Sequence, residues 1–347
     1  MRIPVNIRRF LIILAVSFVI IGLIIYFTAT KQTLVALKNI NLNFVLLAIF
    51  FYILEFTADA VRTKILIHGT HHKLKLWECF KLVALQVFFD LITPFSVGGQ
   101  PFQIYILHKK KVPGGNATTV VVMKLLFGAL ALTSIVIFGL LFYSRLFVTV
   151  PILVLIVKVT GLILLFIAAL FVLGLYNPAM STVVITFIIK ILWKLKISHH
   201  PDKLKNKIMK HILLARNSFN GFVSHRFLYF FIGLVLSFVM ILSMIMMILC
   251  FLWGFQDFGV AIPVDDGIIL TAALIFIITF MPTPGSSGLG EGIFYLLYNQ
   301  FIPAHLIGLC IFLWRFFTQY LTAMLGAVVT AKYFSELLMN KKIAESG

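Results

Sequence analysis

The run 227–255 contains 29 residues without a single charge. As a helix it is about 43 Å long at ~1.5 Å per residue, which exceeds the ~30 Å hydrocarbon layer of a bilayer. A helix that is apolar on every side must be buried all round, in a large core or in lipid. Further apolar runs lie at 10–29, 44–60, 117–143, 148–175 and about 305–329. Only 12% of the residues are charged and 61% are apolar, against about 25% charged in a soluble domain. This excludes an ordinary cytosolic enzyme, a disordered chain and a disulfide scaffold. The reading is an all-α polytopic membrane protein. Run 10–29 is too long for a signal-peptide core and lacks a small-residue cleavage site, so it is read as a retained first helix.

Two further apolar stretches are broken. Within 76–107 the break reads TPFSVGGQP, from Thr93 to Pro101; after 267–281 it reads PTPGSSGLGE, from Pro282 to Glu291. Proline removes a backbone donor, and glycine permits dihedrals that other residues avoid. Lipid cannot hydrogen-bond the freed groups, so such breaks are tolerated only inside protein or beside a wet cavity. Pro94, Pro101, Pro282, Pro284 and Gly285 are the hairpin-breaking residues. If both stretches turn back as re-entrant hairpins, 22 of the 29 Lys+Arg fall on one side and three (Lys31, Lys38, Arg145) on the other. The positive-inside rule then puts both termini in the cytoplasm. Residues 93–107 and 283–297 also match at a fixed offset of 190, identical at six of 15 positions: Thr93/Thr283, Pro94/Pro284, Ser96/Ser286, Gly98/Gly288, Tyr105/Tyr295 and Leu107/Leu297. The expectation is about six full transmembrane helices plus two re-entrant hairpins in an inverted-repeat arrangement, the layout of transporters with a midplane site.

The whole chain, 1–347, reads as one integral membrane domain: a first half 1–176, a basic cytoplasmic or interfacial segment 177–226, and a second half 227–347. The segment 190–226 carries nine basic residues against Asp202 alone, suiting helices laid on the headgroups. The formal charge of +18 is explained by short basic loops rather than by nucleic-acid binding. Cys79, Cys250 and Cys310 are widely spaced and read as reduced and inert. No metal-ligand spacing, nucleotide loop or nucleophile elbow is present, so neither a metal nor a cofactor is expected.

The candidate site is built on the breaks. Each helix that begins after a break points its positive end at the cavity, where its N–H groups, Ser96, Gly98, Gly99, Ser286, Ser287 and Gly288 suit an anionic headgroup. Gln100 and Gln103 supply neutral donors and acceptors. Glu291 and Arg315 read equally as a structural ion pair or a substrate contact, and Lys124 as a phosphate partner or a snorkelling lysine. Asp90 is placed beside Lys124. Glu55, Asp59 and Arg62 share one helix face, with Asp59–Arg62 read as a helix-end pair.

The strings TPFSVGGQPFQIYIL at 93–107, PTPGSSGLGE at 282–291 and WRFFTQY at 314–320 resemble the flippase-like integral membrane family that includes the transmembrane region of lysylphosphatidylglycerol synthase. The resemblance spans essentially the whole chain. It implies weight on Pro94, Gly98, Gly99, Pro284, Gly285, Glu291 and Arg315. It also implies translocation of a phospholipid, such as aminoacylated phosphatidylglycerol, across the bacterial cytoplasmic membrane, and a part in resistance to cationic antimicrobial peptides. The expected partners are a membrane phospholipid, a separate lipid-modifying enzyme and further copies of the chain in an oligomer. Two other readings stay open: a phosphatidylglycerol lysyltransferase or its membrane subunit, although no catalytic domain is recognised, and a non-transporting envelope scaffold.

Overall fold

The computed structural model describes Tyr26 and residues 30–93, 98–142, 226–281 and 283–331. The expected spans 10–29 (Tyr26 apart) and 148–175, the basic segment up to 225, Pro94, Ser96, Pro282 and the tail beyond 331 lie outside the described residues. Among the described residues the structure is helical throughout: α1 Lys31–Lys38, α2 Leu42–Gly69, α3 Leu76–Leu91, α4 Gly99–Lys109, α5 Gly114–Phe142, α6 Phe227–Trp253, α7 Val264–Thr279, α8 Leu289–Tyr298 and α9 Ala304–Ala331. Of these, α2, α5, α6 and α9 are long and apolar enough to cross a bilayer. This is an all-α, multi-pass membrane protein. Leu42, Leu46, Phe50 and Ile53 form an exposed apolar stripe on α2, an arrangement stable against lipid but not against water.

Four of the five shorter helices, α3, α4, α7 and α8, form two hairpins. Stacked Phe89 and Phe102 (3.8 Å), the Gln103 amide donating to the Leu82 carbonyl (3.3 Å) and the ion pair of Glu78 with Lys110 pair α3 with α4 in antiparallel register. The second hairpin repeats this: the Thr271 and Tyr298 hydroxyls lie 2.6 Å apart, and the Ser286 hydroxyl donates to the Ile278 carbonyl at 2.7 Å. Local chemistry sets the breaks. A residue before proline is pushed out of the helical region, and α3 ends two residues before Thr93–Pro94. Pro101 sits in the first turn of α4, where a missing donor costs nothing. Gly285 turns the second break with φ of 58°. A side chain there would strike Leu91, so the tips of the two hairpins touch.

The element order is span, hairpin, span, and then the same again. The starting residues 42/227, 76/264, 99/289 and 114/304 differ by 185 to 190, so the offset seen in the two breaks extends to whole helices. The first spans of the two units are antiparallel along their length. Asn41 N–H donates to the Gly254 carbonyl (3.0 Å) at one end, and the Arg226 guanidinium donates to the His68 carbonyl (3.1 Å) at the other. The units therefore run in opposite directions. Their packing is tight where small residues allow it. A side chain at Gly326 of α9 would collide with the Ala84 carbonyl of α3, and one at Gly233 of α6 would meet Leu66 of α2 at 2.9 Å. One apolar core gathers mainly α6 to α9 with Ala48, Ala131, Leu132 and Val136 from α2 and α5, and a second gathers mainly α2 to α5 with Ala323 from α9.

Three features of the sequence reading are corrected here. α2 continues past Ala60 to Gly69, because nothing in 61–69 breaks a helix. Arg62, which lies beyond the apolar run 44–60, is therefore buried inside a long helix. Asp59–Arg62 is consequently not a helix-end pair.

Candidate functional site

A cavity of about 470 Å³ opens where the two apolar cores meet. One wall comes from α2 to α5 and carries Arg62, Gln86, Gln100, Gln103, Lys124 and Thr133 among apolar side chains of α5. The opposite wall comes from α6 and α7 and is mostly apolar, with Met240, Ile241, Ile275, Phe276 and Phe280. Asp59 stands ten residues before the end of α2, while Lys124 and Ser237 each stand ten after the start of α5 and α6. Ten residues of helix are ~15 Å, half the hydrocarbon thickness.

A mid-membrane charge costs at least ~2.5–3.5 kcal/mol by insertion scales, so buried ions here need partners. The Asp59 carboxylate accepts from Arg62 Nη2 (2.6 Å) and Nε (3.1 Å). It also lies 3.2 Å from Lys124 Nζ. Arg62 donates through Nη1 to the Ser237 hydroxyl at 2.8 Å, and Lys124 donates to Gln86 Oε1 at 3.2 Å. Gln86 also bonds the Asp90 carboxyl. The lysine the sequence left between two readings is 4% exposed and does not reach out of the membrane. Two cations share one carboxylate, and both line the cavity.

The first break closes on itself. Asp90 Oδ1 accepts the Gly99 N–H (2.8 Å), and Thr93 Oγ1 accepts the Gly98 N–H (2.9 Å). The expected pairing of Asp90 with Lys124 is thus replaced by a cap on α4, and these two N–H groups are already occupied. The Gln100 and Gln103 side chains remain on the cavity wall. Gln100 Oε1 is buried without a hydrogen-bond partner among the described residues.

The second break is built differently. Arg315 Nε lies 2.9 Å from Glu291 Oε1, with both side chains 1% exposed. The same guanidinium donates to the Gly285 carbonyl (2.9 Å), the Ser286 carbonyl (2.8 Å) and Gln319 Oε1 (2.9 Å). Glu291 in turn accepts the Gly288 N–H at 2.6 Å. A π turn at Phe316–Tyr320 interrupts the regular ladder of α9 between Arg315 and Gln319, and Gln319 also donates to Gly285 (3.1 Å). Position 290 corresponds to Gln100 at the repeat offset. It is glycine, and any side chain there would strike the Arg315 guanidinium. In the second unit the arginine fills the space that a glutamine side chain enters in the first. Glu291, Arg315, Ser286 and Gly288 are therefore gathered into a clasp on the hairpin, apart from the wall that holds Gln100, Gln103 and Lys124. Ser287 and Gly285 belong to the same turn.

Sequence reasoning missed Arg62, Gln86 and Ser237 as members of the polar wall. A signal for Arg62 was available: Glu55, Asp59 and Arg62 recur on one face of an otherwise apolar run. Ser237 carried none, since a serine in a 29-residue uncharged run has no distinguishing neighbour.

A family model described as the lysylphosphatidylglycerol synthase TM region matches residues 10–326. The chain belongs to this family. Among curated proteins, a UPF0104 membrane protein of Archaeoglobus fulgidus is 22% identical over 337 residues, covering 90% of this chain and 93% of that protein. No solved structure matches. Family membership fits a lipid-related membrane role, and the polar cavity is the part of this member where such a role has chemistry to work with.

Proposed function

We propose that the protein moves a phospholipid headgroup between the leaflets of the cytoplasmic membrane, through the cavity between its two units. The observation that carries this reading is the cavity's amphipathic lining. Arg62, Lys124 and three amides share the lining with apolar side chains of α5, α6 and α7. An ion needs only the polar groups and a hydrocarbon only the apolar ones; an amphiphile uses both. Its volume is also in the range of small-molecule sites, about 300–1,000 Å³.

In this reading α3/α4 and α7/α8 are re-entrant hairpins, since arms of 16, 11, 16 and 10 residues are at most ~24 Å long and fall short of a crossing. The four long helices and two further spans at 10–29 and 148–175 make six crossings, and the antiparallel units form an inverted repeat. Lys73 and Lys75 follow the end of α2, Lys109, Lys110 and Lys111 lie between α4 and α5, and Arg226 precedes α6, all at the end where α2 meets α5 and α6. Asp257 and Asp265 belong to the opposite end, so the basic end faces the cytoplasm. The decisive experiment is reconstitution in liposomes with phosphatidylglycerol labelled on its acyl chain, followed by quenching of the outer leaflet. Translocation that falls about tenfold or more in Lys124→Met, at equal folded content, is the expected result. Absence of movement for every headgroup tried would reject the proposal.

A further inference from the structure

We infer that the cavity selects an anionic phosphodiester lipid whose headgroup alcohol is neutral and hydroxylated, and rejects the same lipid once an aminoacyl group has made it cationic. The inference rests on the translocation reading and names the headgroup that reading leaves open. Three observations carry it.

The first is charge. Arg62 and Lys124 line the cavity, while no carboxylate among the described residues does. Asp59 sits behind the two cations as their shared partner, and Asp90 is turned to Gly99 N–H and Gln86. Glu55 lies one turn before Asp59 on α2 and is not part of the wall. A single phosphodiester charge is the complement of two cations that share one acid. An added ammonium finds no acid in the wall and meets two cations in a low-dielectric site, where like charges repel strongly.

The second is hydrogen bonding. Among the described residues Gln100 Oε1 is a buried acceptor with no donor, which is costly unless something donates to it. A headgroup hydroxyl does so without bringing a charge, and Gln86, Gln103 and Thr133 extend the same neutral surface. The third is the apolar wall of α6 and α7, which a water-soluble phosphoester would leave uncovered. It favours a lipid as the source of the phosphate.

The experiment compares acyl-labelled phosphatidylglycerol with acyl-labelled lysyl-phosphatidylglycerol, in liposome translocation and in detergent-micelle competition against bound labelled phosphatidylglycerol. Glycerol 3-phosphate serves as the soluble competitor. The expected result is at least about tenfold preference for phosphatidylglycerol in both assays, the scale of one charge-assisted contact. Glycerol 3-phosphate should compete only weakly. Gln100→Leu should lower phosphatidylglycerol binding severalfold. Lys124→Met should reduce the preference, and Lys124→Arg should restore it. Equal or better movement of the lysylated lipid would overturn the headgroup inference and leave translocation standing. If no lipid moves but the binding preference and its Lys124 dependence hold, translocation fails and the headgroup inference survives. Competition by glycerol 3-phosphate as strong as by the lipid would overturn the lipid assignment. A Gln100→Leu protein that binds like the unaltered one would overturn the role of the orphaned acceptor.

Discussion

Replacing Arg315 with methionine tests whether the second break is held by a clasp or left open for substrate. The guanidinium is fully buried. It faces Glu291 at 2.9 Å and donates to two carbonyls of the break. Methionine fills much of the volume but makes none of these contacts. The Glu291 carboxylate keeps the Gly288 N–H and loses its counter-charge; breaking a buried pair in this way costs about 3–5 kcal/mol. Gly285 retains the Gln319 amide, but the Ser286 carbonyl loses a donor, adding about 1–3 kcal/mol. The two effects overlap, so about 4–6 kcal/mol is expected. That is a large part of the ~5–15 kcal/mol by which folded proteins are stable. The midpoint of thermal unfolding should fall by about 10–20 °C. All three cysteines are buried, so a thiol-reactive dye added to the detergent-solubilised protein reports the transition directly. Cys310 lies in α9 just before Arg315 and responds to local opening. The double variant Arg315→Met with Glu291→Gln should be less destabilised than the sum of the single ones, because neither charge is then left alone. A single variant that melts within 2 °C of the unaltered protein while losing lipid movement would refute the clasp and make Arg315 a substrate contact.

Three further outcomes follow from the packing and charge. Gly326→Leu should drive α9 away from Ala84 and Phe88 and cost about 1–3 kcal/mol or more, whereas Gly292→Ala, which points into open space, should be neutral or stabilise α8 by up to about 1 kcal/mol; dye-monitored melting of both proteins checks this. Burial pushes the Glu78 carboxyl up, but the Lys110 ammonium and the Lys75 N–H outweigh it and hold it below its ordinary value of 4.5. Its stabilisation is therefore complete above that value and lost as pH falls through the folded one, so melting curves of Glu78→Gln and the unaltered protein should converge on acidification. The difference at neutral pH should stay below about 1 kcal/mol because the pair is partly solvated. Single cysteines introduced at Lys109 and at Asp257 in a cysteine-free background should label from opposite faces of sealed right-side-out vesicles, Asp257 from outside; labelling of both from one face would refute the two-ended charge layout.

Much of the architecture was legible because it depends on local rules. A break of Thr, Pro, Gly and Ser inside an apolar stretch cannot continue a helix, so both hairpins and their offset of 190 residues could be read from the chain. The site was less legible. Ser237 meets Arg62 across 175 residues of sequence and Lys124 meets Asp59 across 65, and neither pairing leaves a local mark. α2 was read as ending near Ala60 because Arg62 looked like a loop residue. Its counter-charge is Asp59 on the same helix, and its further partner, Ser237, lies on another.

Composition and the two breaks by themselves determined that this chain lives in a membrane and that it is all helical. Tertiary structure alone decided which polar groups are already satisfied and which face a cavity. Arg315 and Glu291 neutralise each other around the second break, while Arg62 and Lys124 share Asp59 and line the space between the units. The reason is that lipid rewards any apolar face equally. The sequence of such a helix states how deep a residue lies and leaves to packing which neighbour it meets.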